Sequence, residues 1–174
     1  CGLIACQWLK HLGARVIGTV STAEKAELAK AHGCDYPIVY TEENFVERVR
    51  TLTDGHGVPV VYDSIGKDTF EDSLDCLQPR GLLVSFGNAS GAVEPFSPTI
   101  LAAKGSLFLT RPTLATFVAT PEELKATTSD LFEVVSGGSV KIEVGQTYAL
   151  EDAAQAHRDL EARKTTGSTV LLTG

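Results

Sequence analysis

No run of apolar residues in this 174-residue chain is long enough to cross a bilayer, and its first residues lack the basic-then-apolar layout of a secretory signal. A membrane association is therefore not expected, and cytoplasm is the expected compartment. The cysteines, Cys1, Cys6, Cys34 and Cys76, form no C-x-x-C pair and have no histidine at zinc-finger spacing. They read as small apolar core residues rather than metal or redox groups. Positive charge is also scarce: 15 Lys and Arg stand against 22 Asp and Glu, a formal net charge of −7. Nucleic-acid affinity comes mostly from clustered Lys and Arg, so no polynucleotide partner is expected, although a local pocket for one nucleotide is compatible with that charge. His11, His32, His56 and His157 have no serine or cysteine at a legible spacing, which argues against a catalytic triad. The acids give no readable acid/base pair, and no catalytic or metal-binding residue is assigned.

What the chain does have is an ordinary globular composition, 43% apolar and 21% charged, arranged in an alternating rhythm. "LIACQWLKHL" places Ile4, Ala5, Trp8, Leu9 and Leu12 on one helical face, and Gly13 ends it. "RVIGTV" follows as a strand, and Ser21 with Glu24 forms the S-x-x-E signature of a helix start that runs to about His32. "YPIVY" is the next strand. Thr41 is the expected cap of a third helix, with Glu42 and Glu43 in its first turn. "VPVVYD", a helix over "KDTFEDSLDCL", a turn at "QPRG" and the strand "LLVSFG" continue the pattern. These strands are apolar on both parities, which predicts a parallel sheet covered on both faces and a doubly wound α/β fold. Further on, Ser97-Pro98 starts a short helix and "GSLFLT" is a strand. Thr120 to Glu123 opens a long helix, "VKIEV" is a strand, 151–163 a helix, and "STVLLT" closes the chain. A soft boundary is placed near residue 112, separating 1–112 from 113–174.

An open α/β sheet binds ligands at the carboxyl ends of its strands. A dinucleotide fold opens with a strand and a glycine-rich turn; here Gly2 stands directly before a helix, so the first strand is expected to be missing. The ribose-reading position should fall about 20 residues beyond such a glycine, which lands at Val20 to Thr22. A carboxylate there would accept the ribose hydroxyls of NAD and repel a 2′-phosphate. The chain has Ser21 instead, with Lys25 one helical turn on, a hydroxyl and a cation suited to an anion at a helix N-terminus.

"GLIACQWLKHLGARVIGTVSTAEKAELAKAHG", "VVYDSIG", "LVSFGNASG", "SLFLTRPT" and "YALEDAAQAHRDLEARKTTGSTVLL" together resemble the NADPH-dependent quinone oxidoreductases. These are the zeta-crystallin-like, zinc-free branch of the medium-chain dehydrogenase/reductase superfamily, and the resemblance spans essentially the whole chain. It implies a Rossmann-like cofactor domain in residues 1–112 that binds NADPH. It also implies a C-terminal segment packing toward a GroES-like catalytic domain that this stretch does not contain. Residues implied at the cofactor are Gly2, Ser21, Lys25, Tyr40, Ser64, Phe86, Gly87, Asn88, Phe108, Leu109, Thr110 and Arg163. Gly87 is expected to let the backbone pass close to a ribose, and Phe108 to Thr110 to meet the carboxamide end of the nicotinamide. The tail departs from the family's usual G-K ending with Gly167-Ser168. The resemblance further implies a quinone substrate and a homodimer, and this stretch alone is expected not to turn over quinone. The alternatives are an NADPH-dependent reductase of enones or 2-enoyl thioesters, and a nucleic-acid-binding or crystallin-like role.

Overall fold

The computed structural model describes residues 1–162 and 164–174. Along the chain run α1 (Gly2–His11), β1 (Ile17–Val20), α2 (Ala23–Ala31), β2 (Tyr36–Val39), α3 (Phe45–Leu52), β3 (Val58–Asp63), α4 (Phe70–Asp75) and β4 (Leu77–Ser85). They are followed by α5 (Thr99–Ala103), β5 (Phe108–Thr110), α6 (Leu114–Phe117), α7 (Pro121–Ser136), β6 (Val144–Ala149), α8 (Ala153–Glu161) and β7 (Ser168–Leu172). The expected α/β alternation is present, with strands in the order β1-β2, β3-β4-β5 and β6-β7. The Tyr36 N–H donates to the Val16 carbonyl and the Tyr40 N–H to the Val20 carbonyl, each 3.0 Å. The same offset at both ends makes β1 and β2 parallel. β3-β4, β4-β5 and β6-β7 are parallel as well.

The chain divides into two compact units, one of Cys1–Gly18, Glu24–Pro37 and Ser129–Gly174, the other of Thr19–Ala23 and Ile38–Thr128. The second unit has its core where α4 and the strand after α5 meet the sheet. Phe70, Leu74, Leu77, Leu83 and Leu107 are buried there, with Val58, Val61, Ile100 and Leu109 packed against them. "QPRG" does not end a strand as expected but lies inside β4. Two steps on β3, Val58 to Val60, face five on β4, Leu77 to Leu82, so the extra residues are absorbed in a bulge with Arg80 at φ 62°. The expected parallel sheet is present, and its two faces are unequally covered. Leu83 is fully buried, but Tyr62 and Phe108 on the opposite face are 62% and 61% exposed.

The start of α3 also differs from expectation. Asn44, not Thr41, is the cap: its Oδ1 accepts the Val46 and Glu47 N–H groups at 2.9 and 3.1 Å. Thr41 instead donates its hydroxyl to the Ser21 carbonyl, 3.0 Å. Losing a cap of this kind costs about 1 kcal/mol. Asn44→Ala should therefore lower the urea midpoint by that equivalent, whereas Thr41→Ala, which leaves the cap intact, should move it far less.

α7 runs as expected, opened by Thr120 and Glu123, whose side chains bond each other's backbone N–H groups. The strand expected at "VKIEV" begins later, at Val144. The Val140 N–H is already committed to the Val134 carbonyl, and the Gln7 side chain takes both the N–H and the carbonyl of Lys141. Among the described residues, the first backbone bond from this stretch to the closing strand is at Glu143, whose carbonyl accepts Ser168 N–H at 2.7 Å.

Candidate functional site

The strand β3 ends in Asp63, a carboxylate only 5% exposed. Its Oδ1 accepts the N–H groups of Ile65 and Gly66 at 2.7 and 3.1 Å, and its Oδ2 accepts the hydroxyls of Thr69 and Ser73, both at 2.8 Å. These bonds fold the chain back directly after the strand and place Ser64 at the carboxyl edge of the sheet. The loop after β4 is joined to the same edge. Phe86 N–H donates to the Asp63 carbonyl, Ala89 N–H to that of Ser64 and Ser90 N–H to that of Ile65, at 2.8, 3.1 and 2.9 Å. The Ser90 hydroxyl also donates to the Ile65 carbonyl and accepts the Asp68 N–H. Ser64, Phe86, Gly87 and Asn88 thus lie on two loops held as one platform.

Gly87 requires a correction of cause. A Cβ on it would overlap the Ser64 carbonyl oxygen and stand 2.8 Å from the Ser64 Cα. The glycine is demanded by the neighbouring loop, whether or not a ribose also approaches. Sequence reasoning missed Asp63 and Ser90 altogether. The signal that could have found them is an aspartate closing a buried strand with small hydroxyl residues at following positions, a pattern suited to bonds back onto the backbone.

Beside this platform lies a cavity of about 260 Å³ whose lining includes Phe70, Ser85, Asn88, Phe96, Leu109 and Arg111. The Arg111 guanidinium donates to the Ser85 carbonyl, 2.9 Å. Arg111 was another residue that the sequence reading passed over. Phe108, Leu109 and Thr110 form β5 at the edge of the three-stranded sheet. Leu109 is half-buried and turned to the core, and the other two are exposed.

Ser21 follows β1 and Tyr40 follows β2, and the bonds from Tyr40 N–H to Val20 and from Thr41 to Ser21 bring these two strand ends together. Lys25 stands in the first turn of α2, half-buried. Gly2 opens α1, and among the described residues a Cβ there would meet nothing within 4 Å. Arg163 lies outside the described residues.

Among the described residues no group of three or more His, Cys, Asp or Glu could hold a metal ion. No helix of the described residues is long and apolar enough to cross a membrane.

Comparison with known proteins adds four likenesses. The family described as zinc-binding dehydrogenase matches residues 1–133. The quinone oxidoreductase of Pseudomonas aeruginosa is 58% identical over 171 residues, 98% of this chain and 53% of that protein. A 2-haloacrylate reductase from a Burkholderia species is 48% identical over 172 residues, again 98% of this chain and 52% of that one. Among solved structures, Escherichia coli quinone oxidoreductase complexed with NADPH superposes with a TM-score of 0.95 at 53% identity, covering 98% of this chain and 53% of that one. The chain thus spans about half the length of these relatives.

Proposed function

Because the chain belongs to the zinc-binding dehydrogenase family, we propose that it is the NADPH-holding part of an NADPH:quinone oxidoreductase. The observation that carries this reading is the neutral strand end at Ser21. An acid would compete there with a 2′-phosphate, and a hydroxyl followed by Lys25 in the first turn of α2 is suited to receive it. Tyr40, on the adjoining strand end, lines the adenosine side. Gly2, at the N-terminus of α1, is assigned to the pyrophosphate, because backbone N–H groups and the helix dipole at such an end favour an anion. Ser64, Phe86, Gly87 and Asn88 form the platform under the nicotinamide ribose, and Phe108 to Thr110 meet the carboxamide. Arg163 is assigned to the same cofactor on the resemblance alone. The cofactor, when bound, supplies the hydride that reduces the acceptor. This chain's residues bind and orient it, and none of them is given an acid or base role.

The proposed compartment is the cytoplasm. A homodimer formed through β5 fits that strand's place at a sheet edge with Phe108 exposed, since an open edge is a template for a second copy. The likeness to the 2-haloacrylate reductase supports a second reading of the same site, in which the acceptor is an electron-poor alkene. Fluorescence titration with NADPH and NADH in parallel tests the common part. NADPH should bind the tighter by at least about tenfold, the difference made by one charge-assisted contact. Equal affinities would remove the reading.

A further inference from the structure

The cavity beside the platform of Ser64 and Asn88 has a chemistry of its own. It lies within the second unit, on the core face of the three-stranded sheet. Leu83 pairs with Leu109 across β4 and β5, and side chains alternate along a strand. Ser85 and Arg111, two residues further on, therefore share the face of those leucines and line the cavity with Leu109. Phe108 and Thr110 belong to the opposite face.

One wall is aromatic. Phe70 is buried at the start of α4, and Phe96 comes from the loop after β4, the two rings tilted at 43° with centroids 4.8 Å apart. Phe96 remains 40% exposed, so this wall is reached from solvent. The loop that carries it is tied down: Lys67 N–H donates to the Gly91 carbonyl, 3.2 Å, and the Lys67 ammonium pairs with Glu94, 3.3 Å. The volume of about 260 Å³ exceeds the roughly 150 Å³ in which an apolar cavity takes up a benzene ring.

Arg111 brings a positive charge to this wall. Its bond to the Ser85 carbonyl holds the guanidinium against the sheet through one N–H, 2.9 Å. The acids nearby are engaged elsewhere. Asp63, opposite Ser85 in the register, already accepts four donors, and Glu94 is paired with Lys67. Among the described residues no carboxylate pairs with Arg111. The rest of its planar fork is left for an anion from outside, and the Asn88 amide adds a donor and an acceptor.

We propose that this cavity is a second small-molecule site, which binds a compact aromatic carboxylate with its ring against Phe70, Phe96 and Leu109 and its carboxylate on Arg111. A flat monoanion fits because one cation stands among mainly apolar walls; a phosphate would bring more charge than one arginine answers and no ring for the phenylalanines. The site goes beyond the cofactor reading and does not depend on it. With NADPH held as proposed above, the acid lies across the sheet from Phe108 and Thr110, so it is a ligand of the fold and not the hydride acceptor.

The test titrates the full chain with benzoate, followed by the chemical shifts of its ¹⁵N-labelled backbone amides, with and without NADPH. Benzoate should saturate the site below about 10 mM, as its few heavy atoms allow, with shifts centred on Asn88, Val93, Leu109 and Arg111. NADPH should not displace it. Benzyl alcohol, which has the ring without the charge, and inorganic phosphate should each bind at least about tenfold more weakly. These comparisons use the unaltered protein and stand whether or not a variant folds. Arg111→Gln, checked by circular dichroism, should weaken benzoate about tenfold and change benzyl alcohol by less than about twofold. Absence of saturation, phosphate binding as tightly as benzoate, displacement by NADPH, or equal losses for benzoate and benzyl alcohol in Arg111→Gln overturns the proposal. Failure of NADPH to bind would count against the cofactor reading and leave the benzoate titration as it is.

Discussion

Replacing Lys25 by Ala should weaken NADPH binding roughly 10- to 100-fold, the worth of one charge-assisted hydrogen bond to a phosphate. NADH binding should change by less than about threefold, because NADH carries no phosphate at that carbon. The contrast between the two cofactors separates a binding role from damage to the fold. Lys25 sits in the first turn of α2, where a cation opposes the helix dipole and alanine is a good helix former. The salt dependence of NADPH binding should flatten in the same variant, since one charge pair has been removed. Ser21→Asp is the complementary change. It restores the carboxylate that an NAD-selective strand end would have, and it should depress NADPH binding while leaving NADH binding equal or improved. Parallel fluorescence titrations of the three proteins measure all of this. Equal losses for both cofactors in Lys25→Ala would mean that this lysine does not meet the 2′-phosphate.

The parts of the fold that were legible from the sequence are those set by local chemistry. β3 spans the expected "VPVVYD", and α7 begins at the expected capping pair and stops before Gly137-Gly138, because apolar run length and caps are written in neighbouring residues. The errors arise where a distant residue decides. Thr41 has the chemistry of a cap, yet its hydroxyl is taken by Ser21, twenty positions away, and the helix starts at the next competent cap, Asn44. "VKIEV" has strand propensity, but Gln7, 134 positions earlier, occupies the backbone of Lys141. Exposure of Tyr62 and Phe108 could not be read from strands that are apolar on both parities, because such a pattern states what a face could bury and not what covers it. At the candidate site the same division holds. The missing carboxylate near Ser21 is a local fact of spacing. The joining of the Ser64 and Gly87 loops through Asp63 and Ser90 depends on which strand lies beside which, and that emerges only from the sheet.

Asp63→Ala should be the most destabilising single change at this edge. The side chain holds four donors at once, and its removal strands the Ile65 and Gly66 N–H groups together with the buried Ser73 hydroxyl. Each buried donor left without a partner costs about 1–3 kcal/mol, so the total is on the order of 3 kcal/mol or more even if water reaches one of them. That is a large share of the 5–15 kcal/mol, roughly, by which a folded domain is stable. Asp63→Asn distinguishes lost geometry from lost charge. Its amide oxygen can keep the two backbone N–H groups, and its amino group can donate to the Thr69 and Ser73 hydroxyls, which rotate to accept. The asparagine variant should therefore lose about 1–2 kcal/mol and the alanine variant at least twice that, read from urea midpoints at constant slope. The loss should also reach the loop after β4, because Gly87 rests directly on Ser64 and Phe86 N–H bonds the Asp63 carbonyl. Amide hydrogen exchange should accordingly quicken at Ile65, Gly66, Phe86 and Ala89 together in Asp63→Ala, while Val46 and Glu47, held by Asn44, stay protected. Quickening at Ile65 and Gly66 alone would show that the two loops open separately, and the platform would then be two independent turns.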